Sequence, residues 1–274
     1  MAINLRQVKF HYGPLKKKTP PKYTLKDINI HIDSHDEFIA LLGASGAGKS
    51  TLVQLFNGLL FASEGEVLVF DRLLIKNKKI KMKDTRKKVG LVFQFPECQL
   101  FDETVLKDVS YGPKNFGLSN PIELAKEALR VVGIDESIYE RNPLTLSGGQ
   151  MRKVAIAGIL ASNPDILVFD EPTVGLDPAG RNELLELFEK LNKEYHKSII
   201  LITHDMDVVG KVSKRVVVMK DGNIVFDDTK DKLFSDQNVM EKYSLDYPTT
   251  VKMLKEIKSK LNVDLNELQY TVVG

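Results

Sequence analysis

The 274-residue chain is expected to be an α/β protein with a mixed central sheet, antiparallel strands at its start, an inserted α-helical subdomain and a small C-terminal helical extension. Three observations predict this. Residues 38–42, 166–169 and 199–202 are unbroken apolar runs of strand length, the pattern of strands covered on both faces. The first run ends in glycines and is followed from Lys49 by Leu52, Val53, Leu55, Phe56, Leu59 and Leu60 at helical spacing. From about 94 to 164 the periodicity turns helical before strand-like runs resume, which marks a helical block set into the core.

The elements follow in order. Residues 8–12 and 25–32, with Leu25, Ile28, Ile30 and Ile32 apolar, read as short antiparallel strands split by a Pro- and Lys-rich loop over 13–22. Strand 38–42, the glycine loop and the helix from Lys49 come next. The run Lys76, Lys78, Lys79, Lys81, Lys83, Arg86, Lys87 and Lys88 reads as a solvated connection; contact with anionic lipid headgroups is the sharper alternative. It leads into an apolar strand over 89–93. Within the helical block Asn120 is expected to cap, Pro121 to take the first helical position and Gly133 to stop a helix whose face is Ile122, Leu124, Ala125, Ala128, Leu129 and Val132. A strand over 165–170 follows, then a helix opened by Asp177-Pro178 to about Lys197, a strand over 198–203, and a hairpin of 215–219 and 223–226 across Asp221-Gly222. Past Tyr247, the spacing of Val251, Leu254, Ile257 and Leu261 predicts a helical appendage. The expected division is a main domain over 1–240, with its helical lobe at about 95–164, and an extension over 241–274.

The bulk numbers narrow the class. With 43% hydrophobic and 28% charged residues the chain has the composition of a globular domain able to bury an ordinary core. The formal charge is +2, from 39 basic and 37 acidic residues, which argues neither for nucleic acid nor for a strongly acidic partner. One cysteine, Cys98, leaves no internal disulfide framework and is read as a small, semi-buried hydrophobe in a reducing compartment. The first residues lack the features of a secretory signal, and no apolar stretch reaches the roughly 20 residues of a membrane span. A cytoplasmic chain is expected, any spans being supplied by other subunits.

Gly43-Ala44-Ser45-Gly46-Ala47-Gly48-Lys49-Ser50 fits the pattern G-x-x-x-x-G-K-[ST] between a strand and a helix, the context of a phosphate-binding loop. Glycine allows successive N–H groups to turn inward, and the helix N-terminus adds positive potential where phosphates lie. Lys49 is expected to reach the β- and γ-phosphates and the Ser50 hydroxyl to ligate Mg²⁺. Asp170 and Glu171 end a buried strand, where ligands gather in α/β sheets. Asp170 suits a Mg²⁺ contact through water; Glu171 suits the general base that polarises an attacking water. Gln94 and His204 each end an apolar strand in the same manner. Gln94 is placed to touch Mg²⁺ or the attacking water, and His204 to clamp the γ-phosphate. Tyr12 offers an aromatic face for adenine, with plain edge-strand packing as the alternative. Ser147-Gly148-Gly149 opens a second helix whose N-terminus attracts anions. It lies in the helical block, far in sequence from the phosphate loop, which points it at a partner's nucleotide.

With Gly43 to Ser50, Gln94, Leu146-Ser147-Gly148-Gly149-Gln150, the strand ending in Asp170-Glu171, Asp177 and His204 in this order, the chain resembles the ATP-binding cassette ATPases over residues 1 to about 240. The resemblance implies a P-loop NTPase core, ATP and Mg²⁺ as cofactors, and a head-to-tail pair of cassettes. Nucleotide would be held by Tyr12 and by Gly43 to Thr51, with Thr51 extending the loop. Ser147, Gly148 and Gly149, with Gln150 completing the signature, would bind the γ-phosphate of the opposite subunit, and Asp177 would line the seam. The segment Phe95-Pro96-Glu97-Cys98-Gln99-Leu100-Phe101 and the form Ser-Gly-Gly-Gln-Met-Arg are similar to the second ATPase paralogue of energy-coupling factor importers. Partners implied by that narrower resemblance are a second ATPase, in a heterodimer or a homodimer, a transmembrane coupling protein and a substrate-binding membrane subunit. The work implied is vitamin or transition-metal uptake at the cytoplasmic face of the cell membrane. A soluble cassette remodelling nucleic acid or ribosomes is the alternative, disfavoured because such proteins usually fuse two cassettes or carry long coiled coils.

Overall fold

The computed structural model describes residues 2–13, 21–75, 82–243 and 245–261. Lys76, Lys78, Lys79 and Lys81 of the basic run, residues 14–20 of the first loop and residues 262–274 of the extension lie outside the described residues.

Parallel pairing builds the larger sheet. Its strands are β3 (Phe38–Leu42), β6 (Val89–Val92), β7 (Ile166–Asp170), β8 (Ser198–Ile202), β9 (Arg215–Lys220) and β10 (Asn223–Thr229), in the order β10-β9-β3-β8-β7-β6. Only the β9–β10 pair is antiparallel, closed by Asp221 and Gly222 at φ 48° and 79°, the double positive φ of a hairpin turn. A four-stranded antiparallel sheet, β2-β1-β4-β5, is formed by β1 (Ile3–Phe10), β2 (Leu25–Ile32), β4 (Glu64–Val69) and β5 (Arg72–Leu73). The mixed sheet, antiparallel sheet and helices expected from the sequence are all present.

Alternation along the central strands feeds two cores. Leu167, Phe169, Ile199 and Leu201 enter one cluster, with Phe188 of α6 (Pro178–Lys193) and with Val109, Leu129 and Val154 from the helical block. Ile166, Val168, Ile200 and Ile202 enter the other, with α1 (Lys49–Phe56) and the antiparallel sheet. This two-sided burial is why these runs lack polar residues. A third cluster joins Leu42, Val216 and Val218 to Met206, Leu233, Phe234 and Met240 near the C-terminus.

The helical block contains α3 (Val105–Phe116), α4 (Pro121–Val131) and α5 (Gly148–Leu160), preceded by a single 3₁₀ turn over Pro96–Gln99. Asn120 does occupy the N-cap of α4, but at φ 53° and with no side-chain cap; its carbonyl accepts the Leu124 N–H instead. Asparagine tolerates the left-handed region, so here it turns the chain rather than bonding the helix end.

Several expectations are corrected. The first strand is Ile3–Phe10 rather than 8–12, because an irregularity at Gln7, φ 49°, breaks the alternation of Ile3, Leu5, Val8 and Phe10. Tyr12 therefore lies beyond the strand. The described part of the basic run is a helix, α2 (Lys83–Lys88), anchored by buried Thr85, rather than a plain connection. Cys98 is exposed, not semi-buried. Strands β4 and β5 and the short helices α7 (Met206–Val212), α8 (Lys230–Ser235) and α9 (Gln237–Lys242) are additional to the expected elements. The predicted appendage is α10 (Thr249–Leu261).

The rings of Phe169 and Phe188, both fully buried, meet at a centroid distance of 4.1 Å. Phe188→Ala is expected to destabilise the chain by about 3–5 kcal/mol in urea unfolding, because the rigid sheet cannot collapse into the space left.

Candidate functional site

Register places the site. Val92 pairs with Phe169, Phe169 with Leu201, Asp170 with Ile202, and Ile202 with Leu41, so four parallel strands end in one row. The residues just past those ends are Gln94, Glu171, His204 and Gly43. They line one cleft of about 540 Å³ with Thr24, Ala44, Ser45, Gly46, Gly48, Lys49, Ser50, Thr51 and Asp170.

Gly43 has φ 143°, and a Cβ there would sit 2.3 Å from the Met219 carbonyl oxygen, so only glycine passes under the β9 strand. The loop then delivers α1 with its N-terminus facing the cleft. Lys49 folds back on the loop, its Nζ donating to the Gly43 carbonyl at 2.6 Å and to that of Ala44 at 3.0 Å. Burial lowers its pKa, against the opposing pull of the Glu171 and Asp170 carboxylates. Burial likewise raises the pKa of Asp170; a hydrogen bond from Ser50 opposes this, the charge of Glu171 adds to it and Lys49 counters. An anion at Lys49 and a cation at Asp170 would each relieve a desolvated charge.

Glu171 sits at φ 47°, a conformation costing about 1–3 kcal/mol in a residue with a side chain. Its N–H donates to the Ile202 carbonyl at 3.0 Å, which fixes the reversal, and its Oε1 lies 3.5 Å from His204 Nδ1. Tyr12 is exposed, with its hydroxyl sharing a 3.0 Å hydrogen bond with Thr51 Oγ1, so its ring stands beside the first turn of α1.

Seven predicted residues are not among those lining the cleft: Tyr12, Ala47, which is buried, Ser147, Gly148, Gly149, Gln150 and Asp177. Ser147 caps α5 reciprocally: its Oγ accepts the Gln150 N–H at 3.3 Å and its own N–H donates to Gln150 Oε1 at 3.1 Å. Ser147, Gly148 and Gly149 are exposed, and a Cβ at either glycine would meet nothing within 4 Å. Asp177, also outside the cleft, caps α6 by accepting the Gly180 N–H at 2.8 Å and is otherwise exposed.

Sequence reasoning missed Arg152. Although 6% exposed, this residue of α5 holds Glu97 in two contacts, Nη2–Oε1 at 2.7 Å and Nε–Oε2 at 3.1 Å, and donates Nη1 to the carbonyls of Pro172 and Val174 at 2.9 and 3.0 Å. One guanidinium thus joins the signature helix, the turn after Gln94 and the segment between Glu171 and Asp177. Burial raises the pKa of Glu97, but the Arg152 hydrogen bond, a backbone hydrogen bond and the Arg152 charge together outweigh it and leave the group below its ordinary value. A charged residue four positions past the helix start on a face otherwise reading as core was the available signal. Thr24, which also lines the cleft, carried no signal at all.

The description "ABC transporter" belongs to the family model that matches residues 25–174, more than half of the chain. The chain belongs to the ABC transporter family, and its activity is ATP hydrolysis coupled to transport. It is 42% identical over 276 residues to the energy-coupling factor transporter ATP-binding protein EcfA2 of Clostridium perfringens, covering 99% of this chain and 95% of that one. To the EcfA2 protein of Streptococcus pneumoniae serotype 2 it is 47% identical over 264 residues, covering 95% and 93%. Among solved structures it resembles cbiO1 of Clostridium perfringens, described as part of the ABC transporter complex cbiONQ, with a TM-score of 0.76, 34% identity and coverage of 93% and 98%. A dimeric ATP-binding cassette, MJ0796, bound to ADP and Pi in a post-hydrolysis state matches at a TM-score of 0.71 and 31% identity, covering 83% and 98%.

Arg152→Ala is expected to destabilise the chain by about 3–5 kcal/mol in urea unfolding, because it strands a half-buried carboxylate and two carbonyls. The paired change Arg152→Met with Glu97→Gln should recover part of that loss. A single-mutant loss below about 1 kcal/mol would put this pair among ordinary surface ion pairs.

Proposed function

We propose that the chain is the ATP-binding and ATP-hydrolysing subunit of an energy-coupling factor type importer, driving uptake of a vitamin or a transition-metal ion. It works as a peripheral protein on the cytoplasmic face of the cell membrane. Its partners are a second ABC ATPase, in a heterodimer, a transmembrane coupling protein and a substrate-binding membrane subunit. Near full-length similarity to proteins named as energy-coupling factor ATPases supports this class, as does the cbiO1 structure, described as one component of a larger complex. No described helix is long and apolar enough to cross a membrane, so the reading assigns the spans to those partners.

The observation that carries the reading is the split between the cleft and Ser147. The cleft gathers the loop from Gly43 to Thr51 with Gln94, Asp170, Glu171 and His204, while the exposed start of α5, an anion-seeking helix end, lies outside it. A second cassette facing the first head to tail supplies each with what it lacks. Docking to the membrane subunits falls to the segment after Gln94: Phe95 and Phe101 are exposed, and Phe101 meets Tyr111 edge-on at 5.0 Å, an apolar surface in want of a partner.

In this reading the loop N–H groups and the α1 N-terminus hold the β- and γ-phosphates, and Lys49 exchanges the Gly43 and Ala44 carbonyls for phosphate oxygens. Ser50, Asp170 and Gln94 fit Mg²⁺: all offer oxygen, and the desolvated Asp170 carboxylate gains a counter-charge. Mg²⁺ so bound would neutralise charge on the β- and γ-phosphates. Glu171 takes the proton of the attacking water as its oxygen bonds to the γ-phosphorus, and the bridging oxygen leaves with ADP. His204 donates a hydrogen bond to a γ-phosphate oxygen. Tyr12 stacks on adenine.

Glu171→Gln is expected to retain ATP binding, to lower turnover by about 10²–10⁴-fold and to accumulate a closed dimer with ATP. Normal steady-state hydrolysis in that variant would remove Glu171 as the base. Ser147→Arg should stop hydrolysis at the partner's phosphate loop yet leave ATP affinity of the isolated chain unchanged; weakened binding to the isolated chain would defeat the arrangement in trans. Solubilised in detergent, the chain is expected to co-purify with hydrophobic subunits, and co-purification with ribosomes or DNA in their place would overturn the importer assignment.

A further inference from the structure

We infer that the C-terminal helix α10 positions His204, and through it sets the rate of ATP hydrolysis, by clasping the first turn of α7. The inference rests on the reading of His204 as the γ-phosphate clamp. His204 has 74% of its side chain exposed and stands 3.5 Å from Glu171, so little packing holds the ring. Its placement depends on the backbone that follows, which runs straight into α7.

That helix has seven residues, too few to hold its own direction, and is fixed by its neighbours. Asp205 caps it, its Oδ1 accepting the N–H groups of Asp207 and Val208 at 3.0 and 3.2 Å, while its Oδ2 pairs with Arg181 of α6 at 2.8 Å. Asp207, three residues after His204, is gripped from the other side. Its Oδ1 accepts the Thr249 N–H at 2.6 Å and its Oδ2 the Thr249 hydroxyl at 2.8 Å. Thr249 is the first residue of α10, so one carboxylate takes both donors of that residue. Packing reinforces the clasp: Met206 and Val209 are buried in the cluster that contains Leu233, Phe234 and Met240, and Val251 in the first turn of α10 is 2% exposed. A shift of α10 therefore moves the first turn of α7 against Arg181 and swings His204 relative to Glu171. A helix remote in sequence from the phosphate loop thus gains control over the hydrolytic step without touching nucleotide.

The test uses the full-length chain in its ATPase dimer. Asp207→Ala removes the acceptor of both Thr249 donors; Thr249→Val removes only the hydroxyl and keeps the backbone N–H bond. Expected are a kcat for ATP lowered about three- to tenfold by the first and about twofold by the second, with KM within about twofold. In parallel, histidine-labelled protein is examined by NMR. The chain has five histidines, and in Thr249→Val the ring signal of His204, assigned with His204→Ala, should move while the other four stay. An unchanged kcat in both variants, or a fallen kcat with an unmoved His204 signal, overturns the inference. Normal turnover in His204→Ala overturns the underlying assignment of the clamp, and is seen before α10 is altered.

Discussion

Parallel register in the central sheet is the constraint on which the molecule depends. Because β6, β7, β8 and β3 run the same way and stay in step, their last residues lie in one row, and a glycine-rich loop, an amide, a carboxylate and an imidazole come together from four distant stretches of chain. Such strands need cover on both faces, which the helical lobe and the antiparallel sheet supply. Burial of the lobe and assembly of the cleft are two results of one packing requirement.

Two of the strained residues fall where the chain leaves this sheet for the cleft. Phe95 at φ 55° and Glu171 at φ 47° both follow strand ends that enter the cleft. The rigid sheet holds them there, since relaxing either would pull its strand out of step. Lys49 and Asp170 are held in the same frame with their charges partly stripped of water. The cleft is thus prepared for charge before any arrives.

What the sequence disclosed was the part written in short-range pattern. Apolar runs of strand length marked β3, β7 and β8, and the loop at Gly43 to Ser50 declared itself through residue types that the backbone geometry requires. Features that depend on long-range partners were silent. β4 begins Glu64-Gly65-Glu66, poor strand formers that pair only because β1 lies beside them. Helices α7, α8 and α9 are held by tertiary packing and betrayed only by the caps Asp205, Thr229 and Asp236. Cys98 departs from its expected burial because the 3₁₀ turn directs it outward while Pro96 and Leu100 on either side of it are buried. Arg152 was legible as a letter of the signature, but its four hydrogen bonds are visible only in three dimensions.

Those four bonds make Arg152 a gear rather than a brace. A guanidinium is a flat, rigid fork, so its partners cannot slide past one another while it stays seated. The turn at Glu97 and the strap at Pro172 and Val174 are therefore bonded to one and the same side chain of α5. The outer face at Glu97 and the strap beside Glu171 are two ends of one hydrogen-bonded fork.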